Sequence, residues 1–380
     1  MALVNAICTS CNKTVEVDNS KEAWVCPHCS TPFIVEKAVK KYKSQHKEVA
    51  RKVMAVKKNS NDFEIKDGVL TAYKGKADEV TVPGEVHKIG DHVFENNTGL
   101  KNIIIHDKVE SIGEYAFRGC TALEKIKFPD SIKEIGTWAF RGCTSLKELV
   151  LPPQLRSITD CLFADCSSLE SVEFPPMLTE IGAFSFSGCK SLKAVEIPKY
   201  VAQMGKYAFS GCEKIEKVAI PEGVSQLEEC AFANCTALSV VGLPKGLKSI
   251  GASAFQNCTA LRNIEIPAGV LSVDGFRGCT GLRAIEIPAG VTALGDFSGC
   301  INLESIRIPA SVKKVSGGFN DCPKLMNISW SNLSDNASNF PSYYETVVAG
   351  RKTAGKCVYC GGDFKLLSKV CKVCGKKKDY

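Results

Sequence analysis

The sequence repeats one phrase at a nearly constant period. Segments similar to AFRGCT place cysteines 23 residues apart and, later in the chain, 21 or 22 residues apart. These cysteines are Cys120, Cys143, Cys166, Cys189, Cys212, Cys235, Cys258, Cys279, Cys300 and Cys322. A fixed period of this length is typical of a solenoid, in which each turn buries its apolar face only against neighbouring turns. The repeat therefore predicts a stack of turns.

Residues 143–165 form one full repeat. Leu146, Leu149 and Leu151 mark an apolar, alternating strand, and Pro152 ends this strand because proline cannot donate to a sheet ladder. Phe163 lies in a short helix-like segment that closes the turn. We therefore expect about eleven turns of 21–23 residues, with a parallel β-sheet on one face and strands about 4.8 Å apart.

The repeat has the form L-x-x-I-x-I-P-x-x-V-x-x-I-G-x-x-A-F-x-x-C over about residues 61–330. It resembles the Treponema-type, or BspA-like, class of leucine-rich repeats. The resemblance implies a leucine-rich-repeat solenoid, and proteins of this class are often secreted or surface adhesins. The Asp67-Gly68 pair between alternating apolar residues predicts a β-hairpin that caps the first turn. Residues 331–354, rich in Ser and Asn, are interpreted as a linker.

Two interpretations of the cysteine column compete. Stacked cysteines lie near the separation that a disulfide tolerates, so bonding or metal capture is one of them. The other is that the column consists of reduced thiols that satisfy backbone groups in the loop. The first turn places Asn97 in the cysteine slot, and asparagine shares the small polar side chain but not the redox chemistry. This favours a structural column.

Eight further cysteines form two sets of paired C-x2-C knuckles. They are Cys8, Cys11, Cys26 and Cys29 within residues 1–36, and Cys357, Cys360, Cys371 and Cys374 within residues 355–380. Two knuckles complete the tetrahedron that zinc prefers, so each set resembles a zinc ribbon. Because all four ligands are cysteines, no position stays open for water, which predicts two structural Zn2+ ions. Reduced thiols or a redox C-x2-C are the alternative.

Charge is distributed unevenly. Residues 1–60 hold 11 basic against 5 acidic residues, and residues 331–380 hold 9 against 4. Subtraction from 48 and 41 leaves 28 against 32 for the centre. Residues 37–60 are predicted to form a basic amphipathic helix whose apolar stripe covers 35–56. This helix packs on the solenoid, mediates self-association or binds an acidic partner.

Targeting signals are weak in this sequence. The beginning, MALVNAICTSCNK, does not have the form of a secretory signal, and no apolar stretch approaches 18 residues. With 20 cysteines interpreted as reduced or zinc-bound, we expect a cytoplasmic protein. No phosphate-binding glycine loop is present, and the histidines lack a nucleophile motif, so no catalytic residue is predicted.

Two surfaces are candidates for binding a protein partner. A stripe of residues two positions before the repeat phenylalanine contains Tyr115, Trp138, Phe184 and Tyr207, which form an aromatic ridge or simply pack between turns. The ridge is expected to end near Ser253. The outward strand positions include Glu173, Glu196, Glu265 and Glu286, which line a groove or a solvated face.

The sequence thus predicts a non-enzymatic intracellular scaffold for protein–protein interaction. The alternative is a nucleic-acid-binding protein that grips phosphates with its basic ends.

Overall fold

The structure is a computed structural model and describes eleven stretches of the chain. These are residues 3–7, 13–18, 23–27, 32–34, 62–313, 315–330, 338–340, 348–357, 363–365, 369–372 and 377. The chain divides into two compact units, Met1–Phe63 and Glu64–Tyr380. The predicted helix within 37–60 lies outside the described residues.

The first unit contains two antiparallel strand pairs. β1 (Leu3–Ile7) pairs with β2 (Thr14–Asp18), and β3 (Ala23–Val25) pairs with β4 (Pro32–Ile34). Ala6, Val15 and Val17 are buried. Each C-x2-C pair of this unit falls in the connection between two paired strands.

A hairpin begins the solenoid. β5 (Phe63–Lys66) and β6 (Val69–Tyr73) flank Asp67 and Gly68, whose φ angles are 50° and 72°. Two positive φ angles in a two-residue loop match the twist of a hairpin, which confirms the turn predicted from the Asp-Gly pair. β6 pairs in parallel with the first short strand of the solenoid, so the hairpin covers one end of that ladder.

One strand of most turns carries the predicted alternation, and these strands form the first ladder; residues 194–196 and 263–265 occupy the same position without forming a strand. The strands are β7 (Glu79–Thr81), β9 (Asn102–Ile104), β11 (Lys125–Lys127), β13 (Glu148–Val150), β15 (Ser171–Glu173), β18 (Lys217–Ala219), β20 (Val240–Gly242), β23 (Ala284–Glu286), β25 (Ser305–Arg307) and β26 (Asn327–Ser329). Paired neighbours are parallel and offset by one turn. The parallel β-solenoid is therefore confirmed.

A second ladder of two-residue strands follows the bend after the first-ladder position, a bend that contains a proline in most turns. Its strands are β8 (Lys88–Ile89), β10 (Ser111–Ile112), β12 (Glu134–Ile135), β14 (Ser157–Ile158), β16 (Glu180–Ile181), β17 (Gln203–Met204), β19 (Gln226–Leu227), β21 (Ser249–Ile250), β22 (Ser272–Val273) and β24 (Ala293–Leu294). The prediction of a sheet on one face alone is incomplete. Two residues are too few for alternation to identify a strand.

Phenylalanine rings form a continuous spine through the solenoid core. The fully buried members are Phe94, Phe117, Phe140, Phe163, Phe186, Phe209, Phe232, Phe255, Phe276, Phe297, Phe319 and Phe340. Successive ring centroids are 4.4–5.9 Å apart and the ring planes are nearly parallel. Each ring is thus covered by the turns before and after it, and a single turn has no complete core.

The ten cysteines of the column are reduced and buried. Each thiol donates to the carbonyl oxygen of the spine phenylalanine in the preceding turn, with sulfur–oxygen distances of 3.1–3.3 Å. Burial raises the pKa of Cys120, Cys166, Cys235 and Cys279 to about 12. The structural interpretation of the column is supported, because each thiol is buried and satisfies a backbone carbonyl group of the preceding turn.

The spine continues beyond the last predicted strand. Phe340 is 1% exposed and stacks on Phe319, whose backbone N–H donates to the carbonyl oxygen of Asn339 at 2.8 Å. Trp330 is also buried, and its Nε1 donates to the carbonyl oxygen of Val312 at 3.0 Å. Phe340 lies in the segment interpreted as a linker, yet it closes the core. A short helix, α1 (Ala349–Thr353), follows.

Candidate interaction surfaces

The aromatic ridge occupies one backbone conformation throughout. Its members are His92, Tyr115, Trp138, Cys161, Phe184, Tyr207, Cys230 and Ser253, and their φ angles lie between 54° and 63°. The left-handed region is disfavoured for residues with a Cβ atom by roughly 1–2 kcal/mol, and bulky side chains are rare in it. The left-handed slots of this column end at Ser253, as expected, because the later turns are shorter at this point.

A second left-handed column within the same turns shows which residues this conformation ordinarily takes. It precedes the cysteine slot and comprises Asn96, Gly119, Gly142, Asp165, Gly188, Gly211, Asn234, Asn257, Gly278, Gly299 and Asp321. Every member is Gly, Asn or Asp, the types that tolerate positive φ best. The ridge has none of these residue types, so its large side chains are retained despite a conformational cost.

The ridge aromatics form two stacked groups. The ring of Tyr115 stacks on His92 at 4.8 Å and on Trp138 at 5.9 Å, whereas Phe184 stacks on Tyr207 at 4.6 Å. Cys161 separates the groups and is buried. The structure therefore brings the four predicted aromatics together in pairs, with stacking between turns inside each pair.

Arginine guanidinium groups cover the first aromatic group. The Cζ atom of Arg141 lies 4.5 Å from the ring centroid of Trp138, and that of Arg118 lies 5.5 Å from the ring centroid of Tyr115. The Nε atom of Arg141 donates to Asp165 at 3.0 Å. A surface of Trp, Tyr and Arg has the composition of an interface hot spot.

The second aromatic group carries a different polar network. The hydroxyl of Tyr207 donates to Oε1 of Glu229 at 3.1 Å, and Lys206 donates to Oε2 at 3.1 Å. The hydrogen bond from Lys206 is the main reason that the pKa of Glu229 is lowered. Hydrogen bonding with the Cys230 thiol, with a further contribution from Glu229, raises the pKa of Tyr207 to about 12. Tyr207 is therefore an uncharged hydrogen-bonding group at neutral pH.

The four predicted glutamates lie on the strand face, away from the ridge segment of each turn. All four are exposed. An isolated bridge between Ser171 and Ala194 places Glu173 beside Glu196 in the next turn. Glu286 is paired instead with Arg307, whose Nη1 lies 3.1 Å from Oε1. The two glutamate pairs are thus not equivalent, because the second has a cation beside it.

Three of the eight predicted zinc ligands are described, and the other five lie outside the described residues. Cys26, Cys357 and Cys371 are buried. Among the residues that the structure describes, no three His, Cys, Asp or Glu side chains group into a metal site. Zinc binding by the two sets of four cysteines therefore stays a prediction.

Within the described part of the chain, no helix has the length and apolar character needed to cross a membrane. Nδ1 of His87 donates to the carbonyl oxygen of Gly68 at 2.7 Å, and Nε2 of His106 donates to the carbonyl oxygen of Pro83 at 2.8 Å. These two histidines bind the backbone of the first turns, as structural residues do.

The chain is similar to several solved leucine-rich-repeat structures. One is a leucine-rich cell surface protein from Faecalibacterium prausnitzii A2-165, with 28% identity over 73% of this chain and 94% of that chain and a TM-score of 0.50. Another is a leucine-rich repeat protein from Bacteroides ovatus ATCC 8483, with 29% identity over 70% and 82% and a TM-score of 0.47. A third, the T. pallidum leucine-rich repeat protein, has 29% identity over 53% and 89% and a TM-score of 0.40.

No curated protein sequence matches this chain. A family profile described as "BspA type Leucine rich repeat region (6 copies)" matches residues 65–182, 156–275 and 271–343. The matched ranges include both ladders, the phenylalanine spine to Phe340 and the ridge. The resemblance inferred from the repeat is confirmed, and the chain belongs to the BspA-type leucine-rich-repeat family.

Proposed function

We propose that the solenoid binds a protein partner through the aromatic ridge. The observation that carries this proposal is the retention of Tyr115, Trp138, Phe184 and Tyr207 at positive φ, in slots that the neighbouring column fills with Gly, Asn or Asp. Costly backbone conformations cluster at functional sites. Stacking between turns contributes about 0.5–1.5 kcal/mol per pair and offsets part of the cost, so partner binding supplies the further reason for large side chains.

The left-handed conformation permits a clean test. Asn tolerates positive φ, so replacing Trp138 and Tyr207 with Asn relieves strain while it removes the rings. The free energy of unfolding of the full-chain double variant is expected to differ from that of the wild type by no more than about 1 kcal/mol. Leu271→Asn is the matched control, because Leu271 is 52% exposed and lies outside the ridge.

Each protein is immobilised, and partners from an extract of the source cells are quantified by mass spectrometry. We expect a partner retained by the wild type and by Leu271→Asn but lost from the double variant. If all three proteins capture the same partners equally, the proposal that the ridge binds a partner is contradicted.

The two cysteine sets are proposed to hold one structural zinc ion each. Burial of Cys26, Cys357 and Cys371 and the position of each first-unit pair between paired strands support this, because thiolates in a tetrahedral set suit zinc. Protein purified without added metal should contain about two zinc ions per chain, and Cys371→Ser should lose one of them. A zinc content near zero contradicts both sites.

We propose a non-enzymatic protein that works in the cytoplasm. Reduced column thiols fit a reducing compartment. A surface location is the competing proposal, because the F. prausnitzii relative is a cell surface protein. Fractionation of source cells with a tagged full chain tests this: recovery in the cytoplasmic fraction supports the proposal, and recovery at the surface overturns it.

The alternative function is nucleic-acid binding, and the basic charge of both ends of the chain supports it. Residues 1–60 and 331–380 have net charges of +6 and +5 from the counts of basic and acidic residues. Tight, salt-sensitive binding of DNA or RNA by the full chain, unaffected by the ridge variant, would favour this alternative.

A further inference from the structure

A column of charged residues runs along the solenoid just before the first ladder. Its position lies four residues after each column cysteine, and four after Asn97 in the first turn. The first six members alternate in sign, and they are Lys101, Glu124, Lys147, Glu170, Lys193 and Glu216. Nζ of Lys193 lies 2.6 Å from Oε2 of Glu170 in the preceding turn. Alternating charges attract each other between neighbouring turns, so this is the order that favours stacking.

The alternation breaks at Arg262 and Arg283. These arginines hold the column position in adjacent turns, and the backbone N–H of Arg283 donates to the carbonyl oxygen of Arg262 at 3.3 Å. Both side chains are exposed. Among the residues that the structure describes, neither arginine forms an ion pair. Like charges in adjacent turns repel each other, so stacking of the turns does not account for this pair.

The two arginines line one cavity. Its volume is about 620 Å³, and its lining also includes Thr280, Gly281 and Asn302. No carboxylate lines this cavity, whose lining falls wholly within the described residues 62–313. The cavity is therefore a polar site in which two positive charges face the solvent together.

The cavity also contains an uncommitted hydroxyl group. The hydroxyls of Ser239 and Thr259 donate to backbone carbonyl oxygens of the preceding turns, both at 3.2 Å. The hydroxyl of Thr280 makes no hydrogen bond to any described residue. It lies in the same turn as Arg283, so it can donate to a ligand that the arginines hold.

A third cation adjoins the cavity at Asn302. Nδ2 of Asn302 donates to the carbonyl oxygen of Thr280 at 2.8 Å, and its Oδ1 accepts from Nζ of Lys324 at 2.7 Å. The next column position after Arg283 holds Glu304, which does not line the cavity. Three cations against this one carboxylate leave a net charge of +2 around the site.

A phosphate monoester is the anion that suits this charge and these donors. It carries about −1.5 to −2 at pH 7 and has three strong acceptor oxygens. Guanidinium groups bind phosphate oxygens with paired N–H donors. A carboxylate and a phosphate diester each carry a single negative charge and neutralise less of the site.

We propose that Arg262 and Arg283 bind the phosphate-monoester group of a ligand, with the hydroxyl of Thr280 as a further donor. The site is separate from the ridge and does not rest on its role.

A labelled peptide GAGSGAG with a phosphorylated serine is the probe, and its binding to the full chain is measured by fluorescence anisotropy. The control is the same peptide without phosphate. We expect the phosphopeptide to bind at least about tenfold more tightly than the control. Equal binding of the two peptides overturns the proposal.

Competing ligands identify the source of the phosphate group. Displacement of the phosphopeptide by an equal concentration of inorganic phosphate assigns the site to the free ion. Displacement only by a large excess assigns it to a phosphorylated protein segment, and both results support a monoester site. Oligothymidine contains phosphate diesters, and displacement by oligothymidine at a lower phosphate concentration than the phosphopeptide overturns the proposal in favour of a nucleic acid.

Protein variants test the location of the site. Arg262→Gln combined with Arg283→Gln should weaken phosphopeptide binding about tenfold. The matched control is Arg277→Gln combined with Arg307→Gln, which removes the same charge from two arginines that lie beside Asp296 and Glu286. This control should bind the phosphopeptide as the wild type does. Equal weakening by both pairs means that net charge alone matters and contradicts the site.

A single substitution separates binding from stability. Arg262→Glu places a carboxylate beside Arg283 and restores the alternation of the column, so the urea midpoint should stay the same or rise while phosphopeptide binding is lost. A lowered urea midpoint, or binding equal to that of the wild type, contradicts the proposal. Trp138→Asn should leave phosphopeptide binding unchanged, so failure of this site is distinguishable from failure of the ridge.

Discussion

Two left-handed columns run through the same turns, but they use different residues. The column before the cysteine slot contains only Gly, Asn and Asp, whereas the ridge contains aromatics, cysteines and a serine. Where rings stack, as Phe184 does on Tyr207, the packing offsets part of the backbone cost. Ser253 has the same conformation, with a φ of 56°, but no ring to stack. The cost at this position is therefore uncompensated by aromatic packing.

We expect Ser253→Gly to raise the free energy of unfolding by about 0.5–1 kcal/mol. Glycine removes the penalty of roughly 1–2 kcal/mol for the left-handed region and adds back part of it as chain entropy in the unfolded state. Urea unfolding measures the change. Gln256→Gly, in the same turn but without a positive φ, is the control and should lower stability by about 1 kcal/mol. Destabilisation by both substitutions contradicts the strain argument.

The thiol column shows how one residue type serves successive elements. Each cysteine joins its own turn to the carbonyl oxygen of a phenylalanine in the turn before, as Cys189 does with Phe163 at 3.2 Å. The spine rings beside the column repeat at the same spacing. The thiol and the ring thus connect the same pair of turns. Stability therefore comes from the contacts between neighbouring turns rather than from contacts within one turn.

The phenylalanine at the end of the spine should contribute to stability as the rings in the middle do. Phe340→Ala removes the ring that covers Phe319 and is expected to cost about 3 kcal/mol, measured by urea unfolding. Phe184→Ala is the matched control, because this ring is 39% exposed, and it should cost about 1 kcal/mol. If Phe340→Ala were no more costly than the control, residues 338–340 would not be part of the core.

At the scale of the whole solenoid, the ten buried thiols together determine how the free energy of unfolding depends on pH. In the unfolded chain they ionise near the ordinary pKa of 9.0, whereas burial holds the pKa of Cys166 in the folded state at about 12. The folded state therefore retains protons that the unfolded state releases. The stability contributed by the neutral thiols is complete below pH 9 and is lost as pH rises toward 12.

We expect the free energy of unfolding to fall steeply above pH 9. Removing one thiol with Cys166→Ala should reduce the steepness of the plot of unfolding free energy against pH by about 1.4 kcal/mol per pH unit between pH 9 and 11. Urea unfolding at several pH values measures the slope, and the same comparison at pH 6–8 is the control, where the thiol slope is flat. Identical slopes above pH 9 for variant and wild type contradict the raised thiol pKa.

The architecture of the solenoid could be read from the chain because it is local. Each turn contacts only its neighbours, so one period in the sequence, with Phe163 and Cys166 in fixed slots, specifies every interface in the stack. The hairpin at Asp67-Gly68 was predictable for a similar reason, because the turn type follows from two adjacent residues. The end of the ridge at Ser253 followed from the shortened turns.

Other features depend on contacts that no local pattern contains. The second ladder consists of two-residue strands, which exist only because adjacent turns align them. Phe340 follows a polar stretch, and only its stacking on the ring of Phe319 gives it a place in the core. Residue type argues against a left-handed Trp138, so its φ of 63° is imposed by the turn. Residues 263–265 likewise have the first-ladder pattern but form no strand, which only the assembled stack decides.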